Sequence, residues 1–281
     1  MKNRIIIKKK KDLFFIYYDN VYSFFNVKET NVMYRLFIKL KLPLYIFFGR
    51  WKKAIKKCDE VIIFDNGYNK QITKYIKKKN KKIKIIFWYW NAIFEYNNNN
   101  FALDDKNIDE IWTYNRFDAE KYRIKLNTQF YSNKIRISNA IKQDIIFMGR
   151  NKNRKDELKK LQELFKELNI SSKFIIVDKG DKTIPYKTYL KLIGESKCIL
   201  DYSQLEFNGL SLRPLEAIFL RKKIITNNKD IKNYDFYKKE NIFILGIDDT
   251  RDLYSFINSD YCELDEKIIN KYDYNNWLSR F

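Results

Sequence analysis

Short runs of β-branched and aromatic residues recur along this chain, and the stretches between them carry helical periodicity. That alternation constrains the fold more than any other feature. Strands separated by helices pair in parallel and are covered on both faces. In the first half, Leu13–Tyr18, Val61–Phe64, Ile83–Trp88 and Ile108–Thr113 read as buried strands. Leu44–Cys58 and Tyr68–Lys79 read as helices, Phe117–Ile124 as a shorter one, and Thr128–Tyr131 as a short strand. The pattern restarts near Asn139–Lys142. Strands are expected at Asp144–Gly149, Phe174–Val177, Cys198–Asp201, Lys223–Thr226 and Ile242–Leu245, and helices at Lys155–Leu168, Tyr186–Glu195, Leu212–Leu220, Asp252–Asn258 and Asp265–Tyr272. The expectation is α/β, with two Rossmann-like domains at 1–140 and 141–265 facing each other across a cleft. Residues 266–281 form a carboxy-terminal tail that could pack back on the first domain.

Charge is distributed unevenly. Residues 1–100 hold 23 basic and 7 acidic residues, a net +16, whereas the remaining 181 contribute only +5 of the total +21. Abundant Lys, Asn, Ile, Tyr and Phe suit an AT-rich genome, but codon bias does not produce that asymmetry. A basic amino-terminal half implies an anionic neighbour: nucleic acid, lipid headgroups or a phosphorylated substrate. The chain has no histidine, which excludes His metal ligands and Ser-His-Asp or Cys-His catalysis. Cys58, Cys198 and Cys262 are scattered, forming neither a disulfide framework nor a zinc motif, and fit a reducing cytoplasm. Leu13–Tyr18 follows Lys8–Lys11 but ends at Asp19, too short for a signal peptide. No apolar stretch approaches the ~20 residues of a membrane span.

Within Leu36–Cys58, Leu44, Phe47, Phe48, Trp51 and Ile55 form a helical stripe, while Arg50, Lys52, Lys53, Lys56 and Lys57 lie largely elsewhere. Such a stripe suits an interfacial membrane helix or a helix covering its own sheet. Among acidic groups placed to follow strands in the first half, Asp19, Asp65 and Glu95 are candidate general bases. Asp65 is favoured, because Asp65-Asn66-Gly67 sits at a strand end with a turn glycine.

The most informative segment runs from Asp201 to Ala217 (DYSQLEFNGLSLRPLEA). A buried strand ends, a polar loop with Gly209 follows, and a helix begins. Free backbone N–H groups there suit a diphosphate. A carboxylate one turn in, Glu216, can accept from both ribose hydroxyls. This run resembles the donor-binding signature of GT-B glycosyltransferases, in which a Gly-rich loop leads into a Glu-Ala helix start and a short strand. The second glutamate of their Glu-x7-Glu pattern falls at Glu216, and the first at Asn208, where this chain departs from the pattern. Phe147-Met148-Gly149-Arg150, followed by Lys155, resembles the start of the GT-B donor domain, and Arg150, Arg154 and Lys155 are available at the amino end of the helix that follows. More loosely, 108–131 and 186–235 resemble a bacterial family of lipopolysaccharide and capsule biosynthesis.

The resemblance implies a GT-B-like enzyme of the hexosyltransferase class, with an acceptor-binding domain at 1–140 and a donor-binding domain at 141–265. Donor contacts would fall on Gly149, Arg150, Lys155, Asn208, Gly209, Leu210, Ser211, Arg213 and Glu216. Asp65, chosen by its strand-end position, would be the catalytic base of an inverting reaction, and a retaining one would need none. No Asp-x-Asp occurs, so no metal and no cofactor are expected beyond a nucleotide-diphosphate sugar such as a UDP-sugar. The acceptor would be a saccharide or a lipid-linked saccharide. The protein would sit in the cytoplasm, peripheral on the anionic inner face of the plasma membrane, with no nucleic-acid partner. Two other classes stay open at this point: a basic nucleic-acid-binding protein, and a non-catalytic partner of a polysaccharide-assembly complex.

Overall fold

Ile5, Ile6 and Ile7 are all buried, and they centre the first strand of a parallel sheet. The computed structural model describes residues 2–10, 13–93, 102–178, 180–182, 184–203 and 209–281. The chain divides into two units, one running to Thr128 and including Phe281, the other spanning Gln129–Arg280.

The first unit contains β1 (Arg4–Lys8), β2 (Val21–Ser23), β3 (Glu60–Phe64), β4 (Lys84–Tyr89), β5 (Glu110–Thr113) and β6 (Lys125–Leu126). They lie in the order β2-β1-β3-β4-β5-β6, every pair parallel. All five residues of β3 are buried, as expected for a strand covered on both faces. Ile5, Ile7, Val61, Ile63, Ile85 and Phe87 share one face and pack with Trp51, Ile72 and Ile76. The helices are α1 (Val32–Lys39), α2 (Trp51–Ala54), α3 (Lys70–Lys79) and α4 (Arg116–Tyr122). Asn31, Asn69 and Asn115 cap α1, α3 and α4 by accepting from first-turn N–H groups. Phe281 packs edge-on against Trp88 and Trp112.

The second unit contains β7 (Gln143–Arg150), β8 (Ser172–Val177), β9 (Ser196–Asp201), β10 (Lys223–Thr226) and β11 (Ile242–Ile244). The order is β11-β10-β9-β7-β8, again all parallel. Its helices are α5 (Lys155–Glu167), α6 (Tyr186–Gly194), α7 (Arg213–Leu220), α8 (Leu253–Asn258), α9 (Glu266–Lys271) and α10 (Tyr274–Ser279). Trp277 of α10 stacks on Phe130, with ring centroids 4.0 Å apart. Among the described residues, no helix is long and apolar enough to cross a membrane.

Three local readings of the sequence are corrected. Leu13–Tyr18 is not a strand: Leu13–Tyr17 is a 3-10 helix, and the sheet position belongs to β1. Asp19 therefore follows a 3-10 turn rather than a strand. Leu44–Cys58 is not one helix. Leu44–Phe47 is a 3-10 turn, after which Phe48 forms a bridge with Phe25 and the Gly49 N–H bonds the Phe24 carbonyl at 2.8 Å. A β-carbon on Gly49 would lie 2.1 Å from the Ser23 carbonyl oxygen, so only glycine permits this approach. The stripe residues Leu44, Phe48, Trp51 and Ile55 are buried in the core, because the segment covers its own sheet. Finally, Thr128–Tyr131 contributes only an isolated bridge, Tyr131 to Asp273. The sequence reading missed β1, β2, β6, α1 and α10.

Candidate functional site

In the second sheet the chain passes from β7 to β8 on one side, then returns to place β9 on the other. The carboxyl ends of β7 and β9 thus flank a topological switch point, where open parallel sheets bind ligands. Gly149 and Arg150 end β7, and Asp201 ends β9.

Two arginines converge there. Arg154, the residue before α5, is buried. It donates to the carbonyls of Tyr202 and of Arg150, the latter at 3.1 Å. Arg213, at the start of α7, donates to the Met148 carbonyl at 2.7 Å and reaches the Asp201 carboxylate at 3.4 Å. Both guanidinium groups lie by the Phe147 ring, 5.2 and 5.5 Å from its centroid. Gly149 makes room for them. A β-carbon at this position would be 2.8 Å from one Arg213 nitrogen and 3.0 Å from one of Arg154. The Nε atoms of both arginines are buried without a hydrogen-bond partner among the described residues.

The cations are close enough to perturb one another. Burial, then the charge of Arg213, lowers the Arg154 pKa to about 10. Burial and the charges of Arg154, Arg213 and Arg150 lower that of Lys152. Lys152 and Asn153 hold left-handed backbone, φ 47° and 58°, in the turn between β7 and α5. For residues other than glycine that conformation costs about 1–3 kcal/mol each, and such strain concentrates at functional sites. The crevice thus concentrates positive charge at a strand end, as an anionic ligand would require.

Asp201 organises the opposite wall. It is fully buried and accepts from Ser211 Oγ at 2.8 Å and Thr226 Oγ1 at 3.3 Å. Ser211 Oγ in turn accepts from the Arg213 backbone N–H at 3.2 Å. The Gly209 carbonyl is held by the Asn228 amide at 3.2 Å, and Leu210 is buried beneath the loop. Asn227 clamps Ser203, accepting its N–H and donating to its carbonyl, each at 2.8 Å. Asn227 and Asn228 escaped the sequence reading. Their signal is a pair of turn-forming asparagines directly after β10.

Of the sequence-predicted donor residues, Gly149, Arg150, Gly209, Leu210, Ser211 and Arg213 lie on the β7, β9 and α7 ends of this crevice. Asn208 lies outside the described residues, as do Glu206 and Glu95. Lys155 points elsewhere: its ammonium pairs with Asp178 at 3.0 Å, beyond β8. Arg154 fills the buried position. Glu216 is buried on α7. Its two oxygens accept from the Tyr186 and Tyr189 hydroxyls of α6 at 2.9 and 3.1 Å, and Tyr131 hydrogen-bonds Tyr186 at 2.6 Å. Burial raises the Glu216 pKa, opposed by Arg213 and the two tyrosines.

In the first unit, Asp65 directly follows β3 and is buried. It accepts from the backbone N–H groups of Asn66, Trp90 and Asn91, and from the Asn91 amide at 2.9 Å. Burial pushes its pKa up to about 6 against those four bonds. The carboxylate ties the end of β3 to the turn after β4. Among the described residues, no three Asp, Glu or Cys side chains gather as a metal site requires.

No protein-family model matches the sequence, and no curated protein does. The chain is similar to the crystal structure of TarM, a GT-B-type glycosyltransferase, with a TM-score of 0.52 and 14% sequence identity. The match covers 79% of this chain and 53% of TarM, so this chain spans about half of TarM's length. A similarity at that identity is one of fold. Two parallel sheets of six and five strands, flanked by helices, give this chain an α/β fold matching that of a GT-B-type glycosyltransferase.

Proposed function

We propose that this protein is a glycosyltransferase that moves a sugar from a nucleoside-diphosphate donor to a saccharide or lipid-linked saccharide. The convergence of Arg154 and Arg213 on Gly149, at the switch point of a glycosyltransferase-like fold, carries the proposal. The second unit is the donor half and the first the acceptor half. In glycosyl transfer, negative charge builds on the departing diphosphate. Arginines already fixed by backbone carbonyls stabilise that charge without reorganising. Arg150 adds a third positive charge, and no metal is needed for this role. Glu216 takes the ribose, since a carboxylate has acceptor capacity beyond two tyrosine bonds. Asp65 is the base that accepts the acceptor proton in an inverting reaction. A buried carboxyl with a pKa near 6 suits that task near neutral pH.

The test is donor turnover. Nucleotide sugars with uracil, guanine, adenine, cytosine and thymine bases are incubated with the full chain in EDTA, with simple glycosides as acceptors. Release of the nucleoside diphosphate from at least one donor supports the reading. Absence of turnover without metal, restored by magnesium or manganese, overturns the metal-independent part. Absence with and without metal overturns the enzymatic one.

A further inference from the structure

One face of the first unit is apolar and predominantly cationic, and Glu29, the acidic group beside α1, is paired with Lys9. Helix α1 packs inward through Tyr34 and Phe37, whose rings meet Phe47 edge-on. Its outer side, with the turn after it, presents Val32, Met33, Leu36, Leu40, Tyr45 and Ile46 to solvent, Val32 at 79% exposure. Clusters of exposed aliphatic residues on one short segment mark an interaction surface. Beside them lies a depression of about 610 Å³. Lys41, Lys74, Lys78 and Lys79 surround it, over a floor of Tyr45, Phe48 and Tyr75. The Leu44 N–H donates to the Gln71 side chain at 2.7 Å, which ties the apolar segment to α3 and its lysines. From Thr30 to Cys58 the chain has eight basic residues and no acidic one.

From this juxtaposition we propose that the α1–α3 face docks on the anionic surface of a lipid bilayer. The aliphatic side chains of 32–46 enter the interface, and the lysine-lined depression receives a phospholipid headgroup. Charge selects this occupant. A second copy would bring two predominantly cationic faces together, whereas an anionic bilayer complements both the apolar and the positive features. The surface differs from the stripe read in the sequence at Leu44, Phe48, Trp51 and Ile55, which is core. The proposal is independent of the nucleotide reading.

The test is flotation of the full chain with vesicles of phosphatidylglycerol and phosphatidylcholine, against phosphatidylcholine alone. Three variants are compared, each checked for unchanged circular dichroism. Met33→Ser/Leu40→Ser/Ile46→Ser removes apolar contact at constant charge. Lys41→Gln/Lys74→Gln/Lys78→Gln removes three charges at the depression. Lys159→Gln/Lys160→Gln/Lys166→Gln removes three exposed charges from α5 as a control. The wild type should float only with the anionic vesicles. The apolar variant should partition about tenfold less. The depression variant should partition about 100-fold less, at roughly fivefold per lysine near the surface. The control should stay within twofold. No flotation of the wild type overturns the proposal, as does an apolar variant that binds like wild type or a control that loses as much as the depression variant. Two further results overturn it: a lipid-free dimer that the apolar variant dissolves, or tight binding to a single-stranded oligonucleotide that only the depression variant loses.

Discussion

Arg154 and Arg213 stand 59 residues apart in sequence, yet both guanidinium groups lie within 5.5 Å of the centroid of one ring, that of Phe147. Like charges so close, both largely buried, oppose each other. Among the described residues, Asp201 is the negatively charged side chain bonded to the pair, through Arg213. Backbone carbonyls of Met148, Arg150 and Tyr202 hold the pair in place.

Replacing Arg213 by Lys keeps the charge but loses the fork that spans the Met148 carbonyl and Asp201. Affinity for a nucleoside diphosphate should fall at least tenfold, read by calorimetry. Thermal stability without ligand should fall modestly, since lysine keeps the charge beside Asp201 but cannot also hold the Met148 carbonyl.

Gly149→Ala should act on the ligand rather than on the fold. The new methyl meets the guanidinium ends of two arginine side chains and the edge of the Phe147 ring at 3.2 Å, and the arginines can withdraw only by loosening their bonds to the Met148 and Arg150 carbonyls. The melting temperature should stay within about 3 °C of wild type, a change of under 1 kcal/mol. Nucleotide affinity should drop severalfold as the two guanidinium groups move. A large loss of stability with unchanged affinity would contradict this.

Asp65 makes a pH-dependent contribution. Its folded pKa of about 6 lies above the ~3.9 of an unfolded aspartate, so the folded state binds its proton more tightly. The stability it gives is fully present below pH 4 and is lost as pH rises through 6. Urea unfolding of wild type and Asp65→Asn at pH 4, 5, 6 and 7 should show wild type losing roughly 2 kcal/mol relative to the variant. A constant difference would show that Asp65 does not titrate there. In the transfer assay, Asp65→Asn should lower kcat at least 100-fold and leave donor affinity unchanged.

Much of this was legible in the sequence, for identifiable reasons. The β3 and β10 runs are short, apolar and bounded by polar turns, and their positions follow directly. The Gly149-Arg150 and Gly209–Arg213 segments could be placed at strand ends from the sequence, because glycines and basic residues there follow short apolar runs. Other features depended on tertiary contacts. Burial of Leu44, Phe48, Trp51 and Ile55 could be read from periodicity, but the hydrogen bonds from Asn26 and Gly49 that bend their backbone out of a helix could not. Lys155 and Arg154 are adjacent and similar in sequence, and only the geometry sends one to Asp178 and the other under the Tyr202 carbonyl. Strand β1 was hidden by its brevity, three isoleucines between charged residues.

Glu216 separates bracing from binding. Glu216→Gln should destabilise the protein by about 1–3 kcal/mol, because Tyr186 and Tyr189 lose a charged acceptor. Nucleotide affinity should fall more than tenfold. Tyr186→Phe should cost about 1 kcal/mol of stability and leave affinity within threefold. If Glu216→Gln binds nucleotide as wild type does, the carboxylate serves only to join α6 to α7.

The most direct measurement is calorimetric titration of nucleoside diphosphates into the full chain in EDTA, repeated with Arg154→Gln/Arg213→Gln. The crevice at Gly149 predicts one site per chain for at least one base, competed by inorganic pyrophosphate, and weakened at least tenfold in the double variant. No heat from any nucleoside diphosphate at millimolar concentration, or equal binding by wild type and the double variant, would contradict it.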